Sequence, residues 1–119
     1  MTEFNECIKR MSDFYDEFIN LKDVFLLKQS LVINDIYEIS NSFFGLSNKY
    51  KFYKSLASKL RGITKGIIDF DISNMNYKYV EDRLKQKFRK FFNTLFTIIF
   101  TSNYYERIEK KFFISISFL

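Results

Sequence analysis

The chain has 119 residues, a formal net charge of +5, one Cys and three Gly, and it lacks His, Trp and Pro. This composition is typical of one globular domain. It excludes His-dependent catalytic relays, His-ligated metals, an internal disulfide, a CxxC zinc site and a glycine-rich phosphate loop. We therefore expect a single domain over residues 1–119 that is not an enzyme, with no catalytic residue, metal site, cofactor or small-molecule substrate.

Charge is distributed unevenly along the chain. Residues 1–46 carry four bases and eight acids, a net charge of −4, whereas residues 47–119 carry 15 bases and six acids, a net charge of +9. Such asymmetry indicates a basic surface that meets a partner of opposite sign. The alternative is that acidic and basic helices of one bundle lie side by side and neutralise each other.

The first 20 residues predict a helix over residues 3–20. An apolar stripe with steps of four and three residues is typical of one helix face: Phe4, Ile8, Met11, Tyr15 and Phe18. Cys7 borders this stripe, and no neighbouring base is expected to lower the pKa of its thiol. We expect Cys7 to be buried and chemically inert.

A second helix is predicted over residues 22–44, since Val32, Ile36, Ile39 and Phe43 fall on one helical face. Further apolar residues widen this face at its N-terminal end, which is typical of a central helix in a bundle.

A third helix, over residues 49–70, is predicted to be amphipathic. Leu56, Leu60, Ile63 and Ile67 form its apolar face, and no acid occurs between residues 47 and 68. The opposite face carries a row of bases: Lys51, Lys54, Arg61 and Lys65. Ser58, Gly62 and Gly66 step by four along the edge of that row. Two interpretations of the glycines stay open: they fray the helix near Gly62, or they allow close packing of another backbone.

A fourth helix is predicted over residues 75–101, after a polar connection in which Asp69 and Asp71 are typical turn residues. Its apolar stripe is flanked by bases on both sides: Lys78, Lys85 and Arg89 on one flank, and Arg83, Lys87 and Lys90 on the other. Bases in this arrangement are expected on a solvated bundle helix and on a helix that lies against anionic lipid.

The C-terminal region predicts a short helix over residues 103–113 and then an extended segment, because residues 114–119 alternate apolar and polar side chains. Six apolar side chains occur in the last eight residues: Phe112, Phe113, Ile114, Ile116, Phe118 and Leu119. Docking of this tail on its own bundle is expected to be marginal. We therefore predict that residues 112–119 are the association element and that the chain self-associates.

The predicted fold is all-α, a single-domain antiparallel bundle of four to five helices with a short apolar C-terminal tail. The predicted core comprises Phe4, Ile8, Met11, Phe18, Val32, Ile36, Ile39, Leu56, Leu60, Ile63, Val80, Leu84, Phe88, Phe91 and Leu95.

Three hypotheses about function remain. The first is a protein-interaction module, an accessory or assembly subunit that binds another protein or itself. The second is a nucleic-acid-binding accessory protein, and the third is a peripheral protein on an anionic membrane. For the third, the chain is similar in size, charge and helix content to the small basic helical immunity proteins of bacteriocin systems, a likeness of type rather than of motif. The basic surface offered to each partner consists of Lys51, Lys54, Arg61, Lys65, Arg83, Lys87 and Lys90.

The expected location is the cytoplasm. The first ten residues are acidic and polar, unlike a signal peptide, and no apolar run of 18 residues occurs.

Overall fold

The computed structural model describes the backbone of residues 2–48, 51–73 and 76–117 and the side chains of residues 3–48, 51–73 and 76–103. Within these ranges the chain forms helices and no strand. The helices, in chain order, are α1 (Thr2–Phe18), α2 (Val24–Leu27), α3 (Ser30–Ser47), α4 (Lys51–Ile68) and α5 (Tyr77–Ser117).

Four of these helices form an antiparallel bundle. α1 packs against α3 and α5, and α4 packs against the same two helices, so α1 and α4 occupy opposite corners. Side-chain pairs show that neighbours run in opposite directions, since Phe4 at the start of α1 meets Phe43 near the end of α3 and Gly66 near the end of α4 lies beside Lys87 in the first part of α5. The predicted all-α antiparallel bundle is confirmed.

The core lies between the four helices and is rich in aromatic side chains. All but four of the predicted core residues are buried; Phe18, Val32, Leu56 and Ile63 are half-buried and pack against the core. Buried residues that the predicted core omitted are Cys7, Phe14, Val24, Leu27, Phe43, Tyr53, Ala57, Ile67, Phe92 and Ile98.

Aromatic rings connect α1 both to the opposite helix α4 and to its neighbour α5. The ring of Phe4 lies 5.3 Å from that of Tyr53, centroid to centroid, and Phe14 meets Phe91 edge to face at 6.1 Å. Such pairs stabilise a core beyond the burial of their area alone.

The predicted helix over residues 22–44 is wrong in its continuity. Asp23 ends the preceding connection and caps α2, because its carboxylate accepts hydrogen bonds from the N–H groups of Phe25 and Leu26 at 3.1 and 3.2 Å. After a single turn the backbone of Gln29 becomes extended, with φ −67° and ψ 156°, and α3 begins at Ser30. The region therefore forms two helices.

α4 is continuous through both of its glycines, so the predicted fraying at Gly62 is wrong. Close packing of another backbone at Gly62 is wrong as well, because a Cβ placed there would meet no atom within 4 Å. At Gly66 a Cβ would lie 3.7 Å from the ammonium nitrogen of Lys87. A side chain of α5, rather than a backbone, therefore approaches this part of α4.

The predicted helices over residues 75–101 and 103–113 are one helix. α5 contains 41 residues, which corresponds to about 61 Å at about 1.5 Å per residue. The extended conformation predicted for the tail is wrong for residues 114–117, which are helical. Phe118 and Leu119 lie outside the described residues. Because each other bundle helix has 17 or 18 residues, α5 runs past the end of the bundle, and the molecule measures 66 × 26 × 20 Å.

Candidate interaction surfaces

The predicted basic row of α4 lies on the outside of the bundle. Lys51, Lys54, Arg61 and Lys65 are all exposed, while the opposite side of the helix faces the core. Lys59, which the sequence analysis left out, is exposed on the same helix.

The second group of predicted bases lies on the flank of α5 that faces α4. Lys87 connects the two helices, since its ammonium group lies beside Gly66. Arg83 and Lys90 stand one turn before and after it along the same flank. The structure therefore places the seven predicted bases and Lys59 on two adjoining helices, with the ammonium group of Lys87 at the contact between them. We call these eight side chains the cationic face.

Three side chains of the cationic face lie over aromatic rings. The guanidinium carbon of Arg61 is 4.5 Å from the ring centroid of Phe44. Lys87 lies 5.4 Å from the ring centroid of Phe70. Arg83 lies over Tyr79 and donates a hydrogen bond from Nε to the hydroxyl oxygen at 3.3 Å. Cation–π contacts hold these groups without neutralising their charge.

No carboxylate of the described residues forms a salt bridge with any base of the cationic face. The ion pairs of the described residues lie elsewhere: Arg10 with Asp35 and Glu38, and Lys85 with Glu81. α4 itself contains no acid. The carboxylates of the described residues therefore leave the charge of the cationic face without a salt-bridge partner.

The polar connection after α4 forms a turn, as expected from its sequence. Asp71 accepts hydrogen bonds from the N–H and the hydroxyl of Ser73, at 2.9 and 2.6 Å, and these bonds lower the pKa of its carboxyl group. Asp69 lies close enough to Lys28 to act on its pKa. Across the described residues no group of three or more His, Cys, Asp or Glu side chains is arranged to hold a metal ion.

Cys7 lies at a groove between α1 and α3. Its side chain is buried, as predicted. Burial raises the pKa of the thiol, and nearby Arg10 lowers it to a smaller extent. The expectation that no base acts on this pKa was therefore wrong, but burial dominates. The groove has a volume of about 490 Å³, and its lining combines acids, one base and apolar groups: Glu3, Glu6, Cys7, Arg10, Ile39, Asn41, Ser42, Gly45 and Leu46.

The side chains of the predicted association tail, residues 112–119, lie outside the described residues. The described part of α5 nevertheless exposes two aromatic side chains just before it leaves the bundle. Phe96 and Phe100 are 50% and 62% exposed, and their rings stack with centroids 6.1 Å apart. This pair was not among the predicted interaction residues, although its spacing of four residues is visible in the sequence.

None of the helices, over the part of the chain that the structure describes, combines the length and the apolar character needed to cross a bilayer.

Comparison with known proteins gives no relative: no family model, no curated protein and no solved structure matches this chain.

Proposed function

We propose that this chain is a non-enzymatic helical interaction module and that the end of α5 binds a second copy of the chain. The observation that carries the proposal is the length of α5, which has 41 residues in a bundle whose other long helices have 17 or 18. A helix segment that leaves its bundle has no neighbour of its own to cover it.

Sequence and exposure both indicate that this segment is apolar enough to need a partner. The exposed Phe96 and Phe100 are followed, at the same spacing of four residues, by further large side chains: Tyr104, Ile108, Phe112 and Ile116. An exposed aromatic pair such as Phe96 and Phe100 that is continued by an apolar series in the sequence is typical of a protein contact.

A second copy is favoured over an unrelated partner by the charges of the segment. Residues 106–111 contain two acids and three bases in mixed order. A segment with both signs can pair with its own copy without strong repulsion between like charges, whereas a segment of one sign requires an oppositely charged partner.

The non-enzymatic part of the proposal is supported by the chemistry of the side chains. The chain contains no His, and burial raises the pKa of its single thiol, at Cys7. A buried thiol of raised pKa is a poor nucleophile.

Sedimentation velocity over a range of protein concentrations tests the proposal. We expect the full chain to shift from monomer to dimer as its concentration rises, and a chain shortened to residues 1–111 to stay monomeric with its helical circular dichroism nearly unchanged. A full chain that is monomeric at every concentration would contradict the proposal. Unfolding of the shortened chain would assign the tail to the core instead.

A matched pair of variants locates the contact. The double variant Phe96→Gln/Phe100→Gln should weaken the dimer at least tenfold. The control double variant Leu31→Gln/Tyr37→Gln removes two apolar side chains of α3 that are also exposed, and it should leave the dimer unchanged. Equal effects of the two double variants would show that general surface hydrophobicity, not the end of α5, drives association.

A further inference from the structure

The cationic face has a use that association through α5 does not explain. Five exposed bases project from α4, and the adjoining flank of α5 adds two exposed bases, Arg83 and Lys90, and the half-buried Lys87. Like charges at this density repel one another, and no carboxylate of the described residues compensates them by a salt bridge. A surface of this kind is complementary to a polyanion.

The side chains of the cationic face that make cation–π contacts are still able to bind an anion. Arg61, Arg83 and Lys87 are held by ring faces, and a cation–π contact does not itself consume N–H donors. Arg83 uses its Nε–H on the Tyr79 hydroxyl, and its four terminal N–H groups are left for an anion. Part of the ordering that binding requires is therefore already present in the unbound protein.

The shape of the face favours a hydrated polyanion over a lipid bilayer. Between the α4 bases and Lys87 the surface of α4 carries only small side chains, at Ser58, Gly62 and Gly66. Among the described residues, the one large apolar side chain exposed on α4 is Phe52, in its first turn. A helix that binds a bilayer surface inserts a row of apolar side chains, and α4 directs its own apolar row into the core.

The dimensions suit a nucleic-acid strand. From Lys51 to Lys65 the basic row covers 14 residue steps, about 21 Å along the helix. That length corresponds to about six phosphates of one strand at about 3.4 Å each. α4 carries no Asn, Gln, Asp or Glu with which to read adenine or cytosine edges, and its Lys and Arg side chains are the residue types that bind backbone phosphates.

We propose that the cationic face binds the phosphodiester backbone of nucleic acid without sequence preference. This binding is separate from self-association, because its residues lie on α4 and on the first half of α5.

Fluorescence anisotropy with labelled 20-nucleotide single-stranded DNA, RNA of the same sequence and duplex DNA tests the proposal. With four or more phosphates neutralised, affinity should fall on the order of 100-fold between 50 and 200 mM NaCl. The affinities for the three probes show whether the cationic face prefers single-stranded DNA, RNA or duplex DNA. Absence of salt-dependent binding to all three would overturn the proposal. So would tighter binding to anionic vesicles or to a poly-glutamate peptide.

A matched pair of triple variants locates the site. Lys51→Gln/Lys54→Gln/Lys65→Gln removes three bases that have no side-chain partner among the described residues, so the fold should be retained, as circular dichroism would verify. We expect at least tenfold weaker binding and a salt dependence reduced by about two to three counterions.

The control Lys9→Gln/Lys78→Gln/Arg89→Gln removes the same charge from exposed positions elsewhere and should change affinity less than threefold. Equal losses in both triple variants would mean that net charge alone attracts nucleic acid, which would overturn the assignment of the site.

Discussion

Two buried hydroxyl groups of the core have no hydrogen-bond partner among the described residues. They belong to Ser40 of α3 and Thr64 of α4, whose side chains are almost completely buried. The equally buried Thr94 of α5 differs, because its hydroxyl donates to the carbonyl oxygen of Lys90 at 2.8 Å. A buried hydroxyl without a partner destabilises a fold by about 1–3 kcal/mol.

Replacing the unpaired hydroxyl by a methyl group should therefore stabilise the protein. We expect Thr64→Val, which preserves the shape of the side chain, to raise the free energy of unfolding by about 1 kcal/mol. Thr94→Val is the matched control. It removes a hydrogen bond that is made and should lower the same quantity by about 0.5–1.5 kcal/mol. Urea denaturation measures both, and a lower stability of Thr64→Val would contradict the interpretation.

The burial of Thr64 also shows where sequence patterns mislead at the scale of single residues. The apolar positions Leu56 and Ile63 were predicted to centre the buried face of α4, but they are half-buried. The face is rotated toward Ala57 and Thr64, which are nearly inaccessible. A small or polar residue adds little to an apolar pattern. Its burial follows from the positions of the neighbouring helices, α3 and α5, which periodicity does not contain.

At the scale of elements, one lysine links the α2–α3 junction to the end of α4. The ammonium group of Lys28 donates hydrogen bonds to the carbonyl oxygens of Ile67 and Ile68, the second at 2.7 Å. These carbonyls lie in the last turn of α4, where no helical partner remains for them and a positive charge is favourable. Lys28 thereby acts as a cap supplied from another part of the chain.

The stability that Lys28 contributes should depend on pH in the alkaline range. Burial lowers the pKa of Lys28 below its ordinary value of 10.5, and Asp69 opposes this shift to a smaller extent. As pH rises through the lowered pKa toward 10.5, the unfolded chain binds more protons at this site than the folded chain. The free energy of unfolding of the wild type should therefore rise relative to that of a Lys28→Met variant over this interval.

Denaturation of both proteins at several pH values between 7.5 and 10.5 measures this difference, and the comparison removes the contribution of groups that both proteins share. A difference that falls with pH would mean that the lysine is more easily protonated in the folded state. That outcome would contradict the dominance of burial over the attraction of Asp69.

The order and type of the helices could be predicted from the sequence, because each has an apolar period of about 3.6 residues. The residues at which the helices are interrupted could not be predicted in this way. α2 ends after one turn although no Pro or Gly lies between residues 22 and 44. Conversely, Asn103 and Glu106 have the spacing of a capping box, which predicts a helix start at Asn103, but α5 continues through both residues. Caps favour a helix start locally, but whether the chain turns there depends on the packing of the two segments.

At the scale of the whole molecule, the uneven charge is not balanced by contacts inside the bundle. No described salt bridge joins a carboxylate of residues 1–46 to a base of residues 47–119, since each ion pair lies within one of these two ranges. The sequence could predict the two opposite net charges but not their pairing, because pairing depends on which helix faces meet. Seven of the eight bases of the cationic face were named from the sequence, and Lys59 was not, because helical periodicity puts it outside the basic row of α4.

The molecule is more elongated than its length alone requires. The radius of gyration of its Cα atoms is 16.8 Å, whereas a compact chain of this length has about 13.5 Å. The difference arises from α5, because the other helices end near the level at which α5 leaves the bundle.

Removing the part of α5 beyond the bundle should therefore make the molecule compact. A chain that ends at Asn103 should have a radius of gyration of about 13 Å, compared with about 17 Å for the full chain extrapolated to zero concentration, as measured by small-angle X-ray scattering. The shortened chain should keep its cooperative thermal transition, because every core side chain of the described bundle lies before its end. A decrease of less than 1 Å would show that the end of α5 folds back along the bundle in solution, and the surface proposed for a second copy would then be covered by the chain itself.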